Sequence, residues 1–230
     1  MVTSMWTSLL GPMALLADPS AGGHGDAKPL PIAQPTDELG WAAWILWFPI
    51  IALVLNGLFA ALRVKNKLPA WTTVLLLGAS FATTVALYFA YEAPVTVHLF
   101  EWITLAWGPG ESASLIANFS LYVDQLTLLW MLFVTGLSTM IALYASEYME
   151  PDIGKGYARF FAGVSVFVFA MSALVMGDNL LMLYLGWEGV GFASYWLIGY
   201  YYQKPSAVAA AKKAFIVNRI GDLGLALGLY

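Results

Sequence analysis

Six long apolar runs occupy most of the chain after residue 40, and they restrict its fold more than any other feature of the sequence. A helix rises ~1.5 Å per residue, so about 20 apolar residues are needed to cross a ~30 Å hydrocarbon core. The runs extend from about Trp41 to Leu62, Ala70 to Tyr91, Phe119 to Ala145, Phe160 to Met176, Asp178 to Tyr202, and Val208 to Tyr230. The predicted fold is therefore all-α, a polytopic transmembrane helix bundle with about six spans.

The composition supports a membrane protein and excludes several functions. Hydrophobic residues make up 60% of the chain and charged residues 10%, whereas globular domains average about 45–50% and about 25%. A net charge of −4 without a basic cluster argues against a nucleic-acid partner. With no cysteine, the chain has no thiolates for disulfides, iron–sulfur clusters or zinc. The sequence therefore predicts neither a cofactor nor a metal in this chain.

The chain divides into three parts by composition. Residues 1–40 are predicted to be an extension and linker, because positions 18–37 are rich in Pro, Gly and Asp. Residues 41–118 contain two spans and an outer loop, in which Val95 to Trp107 alternates with period two and predicts a small hairpin. Residues 119–230 contain the remaining four spans.

Basic residues in the loops predict the orientation of the chain. Loops one, three and five contain Lys or Arg, and loops two and four contain none; the basic positions are Arg63, Lys65, Lys67, Lys155, Arg159 and Lys204. Because cytoplasmic loops are enriched in Lys and Arg, the odd loops are predicted to be cytoplasmic. The N-terminus is then outside.

Glu188 is the first candidate site residue, since it lies near the middle of the fifth apolar run. It is the tenth residue from Asn179, which places it ~15 Å deep in a ~30 Å core. A carboxylate there costs several kcal/mol unless it is paired or hydrated, and such residues usually mark functional sites. The alternative is a buried, protonated residue that hydrogen-bonds a neighbouring helix.

The sixth run contains four charged residues, of which Arg219 and Asp222 lie three apart on one helix face and can neutralise each other. Arg219 is the twelfth residue from Val208, again near the middle of the membrane. Lys212 lies two turns before Arg219 and faces the same way, whereas Lys213 is rotated by roughly a third of a revolution. Lys212 and Lys213 could also extend to the cytoplasmic headgroups.

An acid and a base on consecutive helices allow two interpretations. Burial favours a neutral carboxyl group and a nearby cation favours the ionised form. Movement of a cation could therefore load or unload a proton on Glu188, as in a relay formed by Glu188, Lys213, Arg219 and Asp222. A static salt bridge would have the same sequence pattern.

Three further features surround this site. Gly186, Gly189 and Gly191 predict close approach of a neighbouring helix, as small residues do in membranes. Asp178 is predicted to cap a helix N-terminus, with a role in proton exit as the alternative. Asp124, near the outer end of the third run, has the same two interpretations.

Several motifs together resemble a known family. They are DNLL at 178–181, GWEGVG at 186–191, KAF at 213–215 and RIGD at 219–222. In this order they are similar to the large antiporter-like subunit of respiratory complex I, which is subunit L of the bacterial enzyme and chain 5 of the mitochondrial one. The resemblance extends from about Trp41 to Tyr230.

The resemblance implies a helical bundle in which Glu188 is the membrane glutamate of the first half-channel. Lys213, Arg219 and Asp222 match polar positions of the next helix, while Lys212 is an addition to the family pattern. Residues 119–230 would be the start of an incomplete proton-translocation domain. The chain would then be an N-terminal part of a longer protein, and residues 1–40 would exceed the usual family start.

The implied function is proton translocation by a membrane subunit of NADH:quinone oxidoreductase, a translocase with no redox centre in this chain. Flavin and iron–sulfur clusters are expected in partner subunits. The expected partners are other membrane subunits of complex I, the lipid bilayer and protons, and the expected location is the bacterial inner membrane. Two alternatives remain: the large subunit of a multi-subunit sodium/proton antiporter, and a scaffold in which Glu188 and Arg219 only lock helices together.

Overall fold

A computed structural model of the chain describes residues 34–35, 39–107 and 113–229. Most of the predicted N-terminal extension lies outside these residues. The described residues form six α-helices and a three-stranded sheet. The helices are α1 (Trp44–Ala61), α2 (Leu68–Ala90), α3 (Gln125–Tyr148), α4 (Tyr157–Met176), α5 (Leu180–Ile198) and α6 (Pro205–Leu229). The strands are β1 (Gln34–Pro35), β2 (Val95–Trp107) and β3 (Ala113–Val123).

Four of the described helices have the length and composition of membrane spans, which confirms the predicted all-α membrane fold. They are α2, α3, α4 and α1 with its preceding 3₁₀ turn at Gly40–Ala43. Helices α5 and α6 form as predicted but are not among these four candidate spans. Glu188 and several glycines lower the hydropathy of α5, and four charged residues lower that of α6. The total of six spans stays a prediction.

Side-chain contacts show that successive helices run in opposite directions. At one end of the bundle, Lys67 before α2 pairs with Glu147 in the last turn of α3, with 2.8 Å between Nζ and Oε2. At the other end, the Asn179 amide before α5 donates to the backbone oxygen of Asn118 at 2.7 Å. The loops predicted to be basic therefore share one end, and the sheet lies at the opposite end.

The outer loop differs from the prediction in its strand pairing. Val95–Trp107 is one long strand rather than a small hairpin, and it pairs antiparallel with β3, from Val95 opposite Val123 to Trp107 opposite Ala113. Phe119 therefore belongs to β3 and stacks on Phe100, with 4.9 Å between ring centroids. The third helix consequently begins at Gln125 and not at Phe119. The division of the chain at 118/119 stays a prediction.

Two buried clusters hold the bundle together near its two ends. The first lies against the sheet and includes Leu87, Leu121, Met131, Met176 and Met182. The second lies near the basic loops, and its largest members include Leu77, Tyr157, Phe161 and Tyr200. Helix packing is therefore well defined at both ends of α4 and α5.

Buried hydrogen bonds join the first two helices between these clusters. The Asn56 amide donates to Thr73 Oγ1 at 2.7 Å. The Ser80 hydroxyl donates to the Ile45 carbonyl oxygen at 2.9 Å. Within a bilayer such bonds stabilise helix association by about 0.6 kcal/mol each. They connect α1 to α2 without any charged group.

Candidate functional site

Close packing of α5 against α4 positions the candidate site. A Cβ atom at Gly186 would lie 2.5 Å from the backbone nitrogen of Leu174. At Gly189 it would lie 2.8 Å from the Cβ of Ala170. Only glycine permits this separation, which confirms the prediction that these residues allow close helix approach. Gly191, in contrast, faces Asn218 on α6 with ordinary space.

Glu188 projects from α5 toward α6, and its side chain is 22% exposed. One carboxylate oxygen, Oε2, accepts a hydrogen bond from the Arg219 guanidinium in an ion pair. The other, Oε1, accepts from the Tyr184 hydroxyl one turn earlier, at 3.0 Å. The two charged residues that the sequence places near the middle of consecutive helices are therefore paired with each other in the structure.

Arg219 lies between two carboxylates. Besides Glu188, it faces Asp222 on its own helix, with 3.6 Å between Nη1 and Oδ2. Its guanidinium also lies over the Phe215 ring, 4.7 Å from the centroid. The arrangement gives the cation a second anionic neighbour within the same helix face, as the three-residue spacing predicted.

Asp222 is the most buried of the charged groups, with a side chain 7% exposed. Its Oδ1 accepts a hydrogen bond from the Trp187 indole at 2.8 Å. Trp187 and Glu188 are adjacent on α5. Trp187 hydrogen-bonds one carboxylate that faces Arg219, and Glu188 is the other. Sequence analysis did not identify Trp187 or Tyr184 as site residues. Tyr184 lies four residues before Glu188, and this spacing of about one helical turn could have indicated their contact.

The two lysines of α6 lie outside this network. Lys212 and Lys213 are exposed, and neither forms an ion pair with any residue that the structure describes. Lys212 borders a groove formed with Tyr195, Phe215 and Arg219. The structure therefore brings Arg219 and Asp222 to Glu188 but does not bring Lys213 to it.

The two outer carboxylates differ in their local role. Asp124 caps α3, because its Oδ1 accepts from the Thr127 backbone N–H at 2.7 Å. Asp178 does not cap α5, contrary to prediction. The cap is Asn179, whose Oδ1 accepts from the Met182 backbone N–H at 2.9 Å. Asp178 lies one residue too early in the chain and instead accepts from the Asn179 amide at 2.7 Å.

We expect Asn179→Ala to lower the thermal unfolding midpoint of the detergent-purified protein, measured by tryptophan fluorescence. The substitution removes a helix cap worth about 1 kcal/mol and the bond from Asn179 to the Asn118 carbonyl. Asp178→Ala is the matched control and should have a smaller effect, since Asp178 is exposed. A larger loss for Asp178→Ala would contradict this assignment of the cap.

The site combines two carboxylates, a guanidinium, a phenol and an indole. Within the described residues, no group of three or more His, Asp or Glu side chains could bind a metal ion. Two carboxylates share one guanidinium, and a tyrosine hydroxyl and an indole complete their hydrogen bonds. Moving the guanidinium from one carboxylate to the other would change which of them favours a proton.

Two family models match separate segments of the chain. Residues 109–161 match the model described as "NADH-Ubiquinone oxidoreductase (complex I), chain 5 N-terminus". Residues 177–230, which include all the α5 and α6 site residues, match "NADH:quinone oxidoreductase/Mrp antiporter, TM". The first match covers β3, α3 and the start of α4, and the second covers the charged network.

Curated relatives agree with these family models. The chain is 41% identical over 191 residues to NADH-quinone oxidoreductase subunit L of Rhodobacter capsulatus, covering 80% of this chain and 26% of the relative. Subunit L of Mycobacterium tuberculosis is 37% identical, with coverages of 81% and 29%. Chloroplastic NAD(P)H-quinone oxidoreductase subunit 5 of Anthoceros angustus is 35% identical, with coverages of 81% and 25%.

The helical bundle, with its four candidate membrane spans, defines an antiporter-like integral membrane protein. Within that class, the chain belongs to the family of the large antiporter-like subunit of complex I, known as subunit L or chain 5. The chain spans about a quarter of the length of these curated relatives.

Proposed function

We propose that this chain contributes to a proton-translocating membrane subunit of NADH:quinone oxidoreductase, in which Glu188 carries a proton. The observation that carries the proposal is the contact of Glu188 with Arg219 near the middle of two adjacent helices. An intramembrane ion pair of this kind is typical of proton pathways. The names of the curated relatives support the same function.

The geometry supports a mechanism in which Arg219 acts as the movable charge. A cation close to a carboxyl group favours its ionised form, and Arg219 supplies that cation to Glu188. The Arg219 guanidinium lies 3.6 Å from the Asp222 carboxylate. If it shifted toward Asp222, Glu188 would keep only its hydrogen bond from the Tyr184 hydroxyl. Loss of the cation in a low-dielectric setting then favours proton uptake by Glu188. Return of Arg219 would release that proton.

The remaining predicted residues have supporting roles in this proposal. Lys213 and Lys212 are exposed on α6 and would add positive charge on the cytoplasmic side of the relay. Asp178 lies before the opposite end of α5, where it would take part in proton exit. Asp124 has a capping role that accounts for its position, so it is the weakest candidate for proton transfer.

The proposal assigns electron transfer to partner subunits. This chain has no cysteine with which to ligate an iron–sulfur cluster, so flavin and clusters would belong to other subunits of the complex. The protein would lie in the bacterial inner membrane with six spans and its N-terminus outside. Its partners there would be other membrane subunits and lipid.

A sodium/proton antiporter subunit is the second candidate, because the model that matches residues 177–230 describes both kinds of protein. Purification from native membranes separates the two. If the chain belongs to complex I, it should co-purify with an assembly that contains flavin and iron–sulfur clusters. Liposomes that contain this assembly should take up protons when NADH and quinone are added. Sodium-dependent proton exchange without redox subunits would contradict the proposed function.

A further inference from the structure

A groove at the basic end of the bundle is separate from the Glu188 site and is lined mainly by cations and tyrosines. It forms where the segment that leads into α4 meets the connection between α5 and α6. Lys155, Arg159 and Lys204 line it together with Tyr201, Tyr202 and Asp152. Three cations therefore face one carboxylate in a concave surface at the ends of membrane helices.

Arg159 is fixed in place but keeps most of its donors free. Its Nη2 donates to the backbone oxygen of Tyr200 at 3.0 Å. The guanidinium also lies over the Tyr202 ring at 4.7 Å and the Tyr200 ring at 5.3 Å from the centroids. No carboxylate of the described residues forms an ion pair with it. A preorganised guanidinium of this kind suits a phosphate group, which it can bind through two parallel hydrogen bonds.

The single acid of the groove is already engaged. Asp152 Oδ2 accepts a hydrogen bond from the Tyr201 hydroxyl at 2.9 Å. Tyr201 in turn lies under the Lys204 ammonium, with 4.8 Å between Nζ and the ring centroid. Neither Lys204 nor Lys155 has an ion-pair partner among the residues that the structure covers. The positive charge of the groove is therefore largely uncompensated.

The tyrosines of the groove add no negative charge. Burial raises the pKa of Tyr200, and the nearby charge of Asp152 raises it further. The hydrogen bond to Asp152 raises the pKa of Tyr201. Both phenols are thus neutral at physiological pH. Their rings, with Tyr202, form an aromatic cluster of the kind enriched at the membrane–water interface.

A second basic groove adjoins the first, and Arg159 borders both. Arg63 and Lys65 line this neighbouring groove with Gly154 and Gly156. Gly156 has a φ of +140°, and a Cβ there would lie 3.2 Å from Arg159 Nη2. Glycine at this position therefore gives the guanidinium room. Four cations from three loops, together with Arg159 in the first turn of α4, therefore lie in one region at the end of the bundle.

We propose that this region binds the phosphate group of an anionic phospholipid, with Arg159 as the central ligand. Basic pockets between transmembrane helices on the cytoplasmic side are suited to phosphorylated headgroups. The aromatic cluster provides the apolar contact expected of a ligand whose acyl chains enter the bilayer. A soluble phosphate compound would use the cations but not that cluster.

The test is lipid binding by the full protein purified in a zwitterionic detergent, measured by titration with short-chain phosphatidylglycerol, phosphatidylcholine or inorganic phosphate. Phosphatidylglycerol should bind most tightly. Each Lys or Arg near a membrane surface adds about fivefold to anionic lipid binding. We expect Lys204→Gln to weaken phosphatidylglycerol binding by about that factor and Arg159→Gln by about tenfold, because Arg159 also donates hydrogen bonds.

A matched control and a second groove variant keep the test decisive. Lys67→Gln removes a cation at the same end of the bundle, but one that is paired with Glu147 and Glu150, so lipid binding should be unchanged. If Arg159→Gln does not fold, Lys204→Gln alone decides. Equal binding of the two lipids, unchanged binding by both groove variants, or equally tight binding of inorganic phosphate would overturn the proposal. Each outcome is independent of whether Glu188 transfers protons.

Discussion

Glu188→Gln is expected to abolish proton transfer through this subunit while the assembled complex continues to reduce quinone. Glutamine retains the size of the side chain and can still contact Tyr184 and Arg219, but it cannot bind and release a proton at neutral pH. A positioned proton-transfer group contributes at least about a hundredfold to rate, so a loss of that size is expected. The measurement is the proton yield per quinone reduced, in liposomes that contain the complete complex and a pH-sensitive dye.

Glu147→Gln is the matched control for this substitution. It makes the same acid-to-amide change in a helix of the same bundle, but Glu147 is 68% exposed and pairs only with Lys67 among the described residues. Exposed ion pairs stabilise proteins by about 0–1 kcal/mol, so the control should pump normally. A normal proton yield from Glu188→Gln in an active complex would remove Glu188 from the proton path.

A double substitution separates a proton carrier from a static salt bridge. If Glu188 and Arg219 only lock α5 to α6, then Glu188→Gln combined with Arg219→Gln removes both charges of that pair and should pump, with Asp222 still hydrogen-bonded by Trp187. If Glu188 carries a proton, the double variant remains inactive although its helices stay packed. Thermal unfolding of each single variant and the double variant shows whether the pair also stabilises the bundle.

The contacts within one helix could be predicted from the sequence, and those between helices could not. Helical geometry alone places Arg219 beside Asp222 and predicts that Glu188 lies at a similar depth. The bond from Trp187 to Asp222 joins residues 35 positions apart, and it depends on how α5 is rotated about its axis. That rotation depends on the contact of Gly186 with α4. The sequence predicts a close helix approach at Gly186 but does not identify the helix that approaches.

The outer hairpin shows a second limit of sequence analysis. The apolar residues Phe119 to Val123 suit the end of a helix as well as a buried strand, since short apolar runs do not distinguish the two. Pairing with β2 decides between them, and the partners range from Phe100, 19 positions before Phe119, to Val95, 28 positions before Val123. Asp124 then ends the strand and caps the helix, so one residue sets the boundary.

Gly186→Val is expected to separate α5 from α4 and to destabilise the bundle. Even a Cβ at this position would lie 2.5 Å from the Leu174 backbone nitrogen and 2.6 Å from its Cα. Backbone atoms cannot rotate away as a side chain can, so the helix itself must shift. The cost should reach about 3 kcal/mol, the upper range for overpacking, and should appear as a lower thermal unfolding midpoint.

The same displacement should disturb the proton site, because Trp187 and Glu188 follow Gly186 directly on α5. Gly191→Ala is the matched control: its Cβ would lie 3.4 Å from the Asn218 amide nitrogen, an ordinary contact. Alanine also favours a helix over glycine by roughly 0.5–1 kcal/mol, so this variant should be at least as stable as the parent. Proton yield should therefore fall in Gly186→Val and persist in Gly191→Ala. Equal stability of the two variants would mean that α4 and α5 do not pack through Gly186.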